Sequence, residues 1–257
     1  MNDKNSEVLA PDVHPTGQHW PEQNRTREDQ SEKRPTALRR ISGALLIAGP
    51  LVYFVAEFIA AAAWADPPYS YTYHFISNLG VHGPSVLFGQ YMYSPLAWVM
   101  NTGFFVFGIT IFAGVAMLRG LVGWRHWLTL VPATMLAAGG ILLALFPGSG
   151  EAMNDGTGEF HSMGAFAGFV GGNVLAIFLG VMRRRVGLSL KIGRTQTVLG
   201  CLGLVAMVGY LVDIISGANV LVGLVERGAV YPFLTGLICV GVATVNRGRR
   251  SAQPGRE

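Results

Sequence analysis

Charge is scarce in this 257-residue chain: Asp, Glu, Lys and Arg together supply 13% of it, about half the share in a water-soluble domain. That shortage counts against a soluble enzyme. Cysteine is scarcer still. Cys201 and Cys239 each lie inside an apolar run, which excludes a disulfide scaffold and any paired-thiolate metal site, and both read as small buried hydrophobes. No two histidines stand four apart, so no local zinc spacing is present. The strict alternation of an outer-membrane barrel strand is missing from the long apolar runs, and no internal repeat of the transporter kind is evident. The net charge of +4 could suggest nucleic acid, but the basic residues flank apolar runs and leave no free basic face. Nucleic acid is therefore not an expected partner.

Apolar residues make up 51% of the chain and glycine 34 positions. Residues 1–38 are the exception: polar, with seven acidic and five basic residues. Such a segment cannot bury enough apolar surface to offset its chain entropy and is expected to be a disordered tail. It has no secretory-signal pattern, and His14, His19 and Trp20 read as solvated.

Six later runs are long enough to cross hydrocarbon about 30 Å thick at 1.5 Å per helical residue. They are 41–64, 96–118, 127–146, 161–182, 197–216 and 229–245. The predicted fold is all-α: a polytopic bundle of six transmembrane helices over 39–247, with the N-terminal tail before it and a short C-terminal tail, 248–257, after it. Pro50, Pro132 and Pro232 predict kinks rather than breaks. Arg39 and Arg40, Arg119 and Arg125, Arg183 to Arg185 with Lys191 and Arg194, and Arg247, Arg249 and Arg250 all fall on one side of a six-span alternation; the other side holds Arg227. The positive-inside rule then puts both termini in the cytoplasm, in an inner-membrane protein, with the loops at 65–95, 147–160 and 217–228 outside. Trp64 and Trp98 are expected at the outer interface, and Trp124 and Trp127 at the inner one.

Two acids fall inside spans. Glu57 and Asp213 each lie 16 residues into an outward-running helix, a depth of about 24 Å. Ionised groups there cost on the order of 2.5–3.5 kcal/mol and normally face a partner inside the bundle. A proton relay, a cation site and an acid/base pair remain open, as does a neutral or arginine-capped carboxyl. Glu226 and Arg227 are neighbours that point apart on a helix, so each needs a partner elsewhere; Arg227 is expected to pair with Asp213 or Glu57, with an anionic headgroup competing.

The segment Tyr69 to Phe75 alternates rings with polar groups, and in an extended chain it would set rings on one side and hydroxyls with His74 on the other. His74 and Ser77 then form a lipid-facing site, or the segment is an aromatic belt. Gly80 is a candidate for positive φ. His74, His82 and His161 with Asp66 and Glu159 would be a zinc inventory only if distant loops converged; no metal and no cofactor are assigned. Gly164, Gly168, Gly172 and Gly180 form a small-residue ridge for packing inside the bundle or between copies. Asn173 beside it is expected to bond across helices.

The run Tyr73 to Gly80, the stretch Phe160 to Ala165 with Gly171, Gly172 and Asn173, and the turn Gly223 to Pro232 together resemble the domain of unknown function 998 family of prokaryotic multi-span membrane proteins. The resemblance covers residues 41–246. It implies a six-helix integral membrane domain and no reaction. The expected site is an outward polar pocket lined by Glu57, His74, His161, Asp213, Glu226, Arg227 and Tyr231, binding a lipid headgroup or small amphiphile. Alternatives are a lipid hydrolase using Ser77, His74, His161 and Asp213, with or without zinc, and a proton-coupled transporter.

Overall fold

A computed structural model describes residues 20–250, with side chains from 37 to 249. The tail expected over 1–38 falls outside that range up to residue 19; from Trp20 the backbone is helical. Extending an existing helix needs no new nucleus, so polar residues can continue it. The C-terminal tail lies outside the described residues beyond Arg250. Residues 36–257 make one compact unit.

Six helices in that unit are long and apolar enough to cross a membrane. The first is the 37–63 part of α1 (Trp20–Ala63); the others are α2 (Ala97–Ala116), α3 (Trp124–Leu145), α5 (Gly158–Val181), α7 (Leu190–Ser216) and α8 (Val222–Arg250). Between them lie two short helices, α4 (Gly150–Asp155) and α6 (Arg183–Val186), a 3-10 turn at Ser77–Gly80, and a two-stranded hairpin of β1 (Ser85–Leu87) and β2 (Gln90–Met92). The 20 residues of α2 span about 30 Å. Pro50, Pro132 and Pro232, the three expected to kink spans, lie inside continuous helices.

Local sequence sets the boundaries. Ser189 caps α7 by accepting the Ile192 amide, and Ser149 caps α4 by accepting that of Ala152. Gly156, Gly187 and Gly217 close α4, α6 and α7 in the left-handed conformation that glycine adopts without strain. Beyond α1, two starts move by seven residues: α7 begins at Leu190 rather than Thr197, and α8 at Val222 rather than Ala229. The sequence at the start of α8 reads as a charged outer turn; it is helix because Glu226 and Arg227 find partners inside the protein.

Close contacts order the helices in a ring. Gly103 of α2 meets Ala56 of α1, Gly108 of α2 meets the Ala137 backbone of α3, and Gly139 of α3 meets Gly164 and Gly168 of α5. Gly180 of α5 meets Gly193 and Thr197 of α7, Gly236 of α8 meets Gln196 of α7, and Gly43 of α1 meets Gly241 of α8. The order α1, α2, α3, α5, α7, α8 thus returns to α1. Buried polar side chains stitch the seams, since an unpaired donor in hydrocarbon is costly. Ser42 donates to the Gly114 carbonyl (2.7 Å), Gln196 to Gly236 (2.6 Å), and Asn173 crosses from α5 to Ala229 on α8 (2.9 Å), as expected of it.

Most of the glycine ridge is taken up in these seams. Gly164 faces Leu142 and Gly139, Gly172 faces Phe233, and Gly180 faces α7; a Cβ at Gly168 would meet nothing within 4 Å. Two further expectations are corrected. Cys201 is exposed, because it lies on the face of α7 that carries Val198, Leu202 and Val205, all exposed too. Trp64 is 2% exposed rather than interfacial, because the following loop folds back over it and stacks His74 on its ring at 5.4 Å.

Candidate functional site

Arg227 and Tyr231, one turn apart on α8, both face Glu57 of α1. The guanidinium reaches Glu57 Oε1 through Nε (3.0 Å) and Nη2 (2.8 Å), and the Tyr231 hydroxyl donates to the same oxygen at 2.9 Å. The second carboxyl oxygen, Oε2, is buried and makes no hydrogen bond among the described residues. The remaining Arg227 donors are spent on the 65–95 loop and on its own helix. Nη1 donates to the carbonyls of Tyr71 (2.8 Å), Gly223 (2.9 Å) and His74 (3.3 Å), and Nη2 to the Tyr69 hydroxyl at 2.6 Å. The Tyr71 and Tyr69 rings lie 4.8 and 5.6 Å from the guanidinium carbon, within cation–π range.

Exposure is 0% for Glu57 and 5% for Arg227, so the pair is desolvated and geometrically saturated. Arg227 has no donor left for a lipid phosphate. Its partner is Glu57 and not Asp213, which accepts the Val220 amide at 2.9 Å and closes the turn between α7 and α8. Of the seven residues expected to line one pocket, Glu57, Arg227 and Tyr231 are thus brought together, while Asp213 bonds elsewhere.

The loop is not extended either. The His74 amide donates to Ser70 O (2.9 Å) and His74 Nδ1 accepts the Ser70 amide (3.0 Å), which makes a turn. That turn directs Tyr69 and Tyr71 to Arg227 and leaves Tyr73 exposed. Burial, with the nearby Arg227 charge, holds the His74 imidazole below its ordinary value, and burial pushes the Tyr69 phenol up. Gly80 is needed for close approach rather than for positive φ: a Cβ there would collide with the Asn101 side chain, whose Nδ2 donates to Gly80 O (3.0 Å).

Inside the ring lies a cavity of about 280 Å³, to which all six spans contribute. That is near the low end of the ~300–1,000 Å³ usual for ligand pockets. One wall is Tyr53, Phe104, Phe107 and Phe233; another is Phe75, Phe169 and Tyr210. The exposed lining residues Phe88, Met153 and Phe166 mark its rim. Of the site residues expected from sequence, Glu226, His161 and Ser77 line it; Glu57, His74, Asp213, Arg227 and Tyr231 do not.

Glu226 is 5% exposed and accepts the Ile76 amide on Oε2 at 2.5 Å. His161 faces the Phe146 carbonyl through Nδ1 (2.9 Å), so that nitrogen carries the hydrogen and Nε2 remains an acceptor. Ser162 donates back to Gly158 O (3.1 Å). Among the described residues no hydrogen bond joins a serine hydroxyl to an imidazole, and no three His, Cys, Asp or Glu side chains form a group that could hold a metal ion. The zinc inventory does not converge: His82 packs near Tyr93 and His74 on Trp64. Tyr53 and Tyr210 carry no signal in the sequence because lone aromatics on apolar helices look like ordinary core. Tyr69 and Tyr71 were signalled by their alternation.

A ring of six apolar helices around a cavity defines the class: an integral membrane protein of the helical-bundle type. A family profile described as "Protein of unknown function (DUF998)" matches residues 46–243, and the chain belongs to that family. No curated protein and no solved structure matches it.

Proposed function

We propose that the protein binds a small amphiphile in the cavity within its helix ring, and that the Glu57–Arg227–Tyr231 cluster holds the roof over that cavity rather than touching the ligand. The observation that carries this is the cavity itself: an aromatic, largely apolar chamber with a few polar groups, Glu226, His161 and the Tyr53 and Tyr210 hydroxyls, on its wall. That composition suits a molecule with an apolar body and one polar end. The Lys and Arg asymmetry orients both termini toward the cytoplasm, which turns the rim outward in the cytoplasmic membrane.

The test is co-purification. Full-length protein carrying Gly168→Leu, which projects a side chain into open space at the cavity wall, is compared with wild type by mass spectrometry of bound amphiphiles after equal washing. Loss of a wild-type amphiphile from the folded variant is the expected result. An identical profile overturns the proposal.

A further inference from the structure

We propose that the polar end of the cavity's ligand is a compact cation of the alkylated-ammonium type, seated between Glu226 and the aromatic walls; this rests on the amphiphile reading above. Two carboxylates and one guanidinium are buried together at this end of the bundle. Arg227 pairs with Glu57 at 2.8 Å, which leaves Glu226 without a cation of its own. Its one hydrogen-bond donor is a neutral amide, that of Ile76. Oε1 of Glu226 makes no hydrogen bond among the described residues, on a side chain that lines the cavity. The ionised groups that bear on Glu226 are Arg227, which is paired with Glu57, and Glu57 itself; the titratable Tyr53, Tyr210 and His161 line the same chamber.

The surroundings decide which cation fits. A metal ion or a bare ammonium needs a shell of oxygen ligands, and the cavity offers mostly ring faces and methyl groups. An alkylated ammonium has little hydration to lose and is attracted by ring faces, the arrangement of aromatic cages. Tyr53 and Tyr210 line the same cavity as Glu226, so a head seated there meets ring faces as well as the carboxylate. An anionic head would meet Glu226 with like charge. At about 280 Å³ the cavity holds on the order of nine groups of ~30 Å³ each, enough for a trimethylammonium head and the first methylenes of a chain that continues toward the rim.

The experiment is isothermal titration of the full chain in dodecyl maltoside micelles with hexyltrimethylammonium, hexanol, hexyl sulfate and hexylphosphocholine, using the Gly168→Leu protein in the same micelles as blank. On wild type the ammonium is expected to bind at least about tenfold more tightly than hexanol, and hexyl sulfate more weakly than either. Glu226→Gln, which keeps an acceptor for the Ile76 amide, is expected to erase that advantage. Hexylphosphocholine matching the ammonium would assign the chemistry to a choline-headed lipid, and preference for the simple ammonium to a free cationic amphiphile; both support the proposal. Equal affinity for the ammonium and hexanol, each lost in Gly168→Leu, overturns the charge assignment and leaves the cavity reading standing. An ammonium advantage undiminished in folded Glu226→Gln also overturns it. Binding that Gly168→Leu does not alter, or none by any probe, overturns both. If Glu226→Gln misfolds, the ranking of the four probes on wild type still decides the charge of the head.

Discussion

Replacing Arg227 by Met removes the guanidinium while keeping an unbranched apolar stem. Glu57, 0% exposed, is then left in the bundle without its counter-charge, and the Tyr71 and Gly223 carbonyls lose their Nη1 donor. Breaking one side of a buried ion pair costs about 3–5 kcal/mol. At ~2–4 °C per kcal/mol for a domain of this size, we expect the thermal midpoint to fall by roughly 6–20 °C in detergent, read by tryptophan fluorescence at fixed scan rate. The double variant Glu57→Met with Arg227→Met loses both charges together, so its midpoint should lie above that of Arg227→Met alone. The thermodynamic cycle should return a coupling of more than about 1.5 kcal/mol, since the residues share one network. Hydrogen exchange supplies the local signature: faster exchange in 69–76 in the single variant, with α3 unchanged. A midpoint within about 2 °C of wild type, or a double variant that falls by the sum of both singles, would show that the pair does not pin the loop.

Two further outcomes follow from the geometry. Gly139→Ala drives a methyl into the Gly164 carbonyl at 2.6 Å and should cost about 1–3 kcal/mol by overpacking, whereas Gly168→Ala, with open space around its Cβ, should be neutral or up to ~1 kcal/mol stabilising through helix propensity; chemical denaturation of both variants decides, and equal losses would refute the assignment of the ridge to internal seams. His74 is held below its ordinary value by burial and the Arg227 charge, so the unfolded chain takes up a proton more readily than the folded one; the linked stability is complete above the unfolded value of about 6.5 and declines as pH falls below it. Exchange protection of 69–76 should weaken between pH 7 and pH 5, and less so in His74→Phe, which keeps a ring against Trp64. A flat profile in wild type would remove His74 from loop docking.

How much of this was readable in the chain varies by physical scale. The spans were legible because hydropathy over 20 residues is a sum that no single contact can overturn. The starts of α7 and α8 were not; the first turns of α8 carry Glu226 and Arg227, which composition reads as interface and only the partners on α1 and the loop make interior. The pairing of Glu57 with Arg227 was legible too, since an intramembrane charge must be matched. Asp213 departs from that rule: its Oδ1 accepts a backbone amide seven residues on in place of a cation, and its Oδ2 makes no hydrogen bond among the described residues. Trp64 failed for a tertiary reason: the return of the loop over it depends on Arg227, 163 positions away by the numbering. The cavity left no mark in the sequence at all, since a wall of Phe, Tyr and Leu is spelled like a packed core and differs only in what is missing between the side chains.

The bond between Glu57 and Arg227 joins the first membrane helix to the last. During synthesis Glu57 therefore enters the lipid some 170 residues before its counter-charge exists. Until α8 arrives, the acid must carry a proton, stay with the insertion machinery or borrow a partner. The ring closes only on a finished chain, so truncation ahead of residue 227 would yield an open bundle with its acid unmet and its outer loop undocked, a ready mark for membrane quality control.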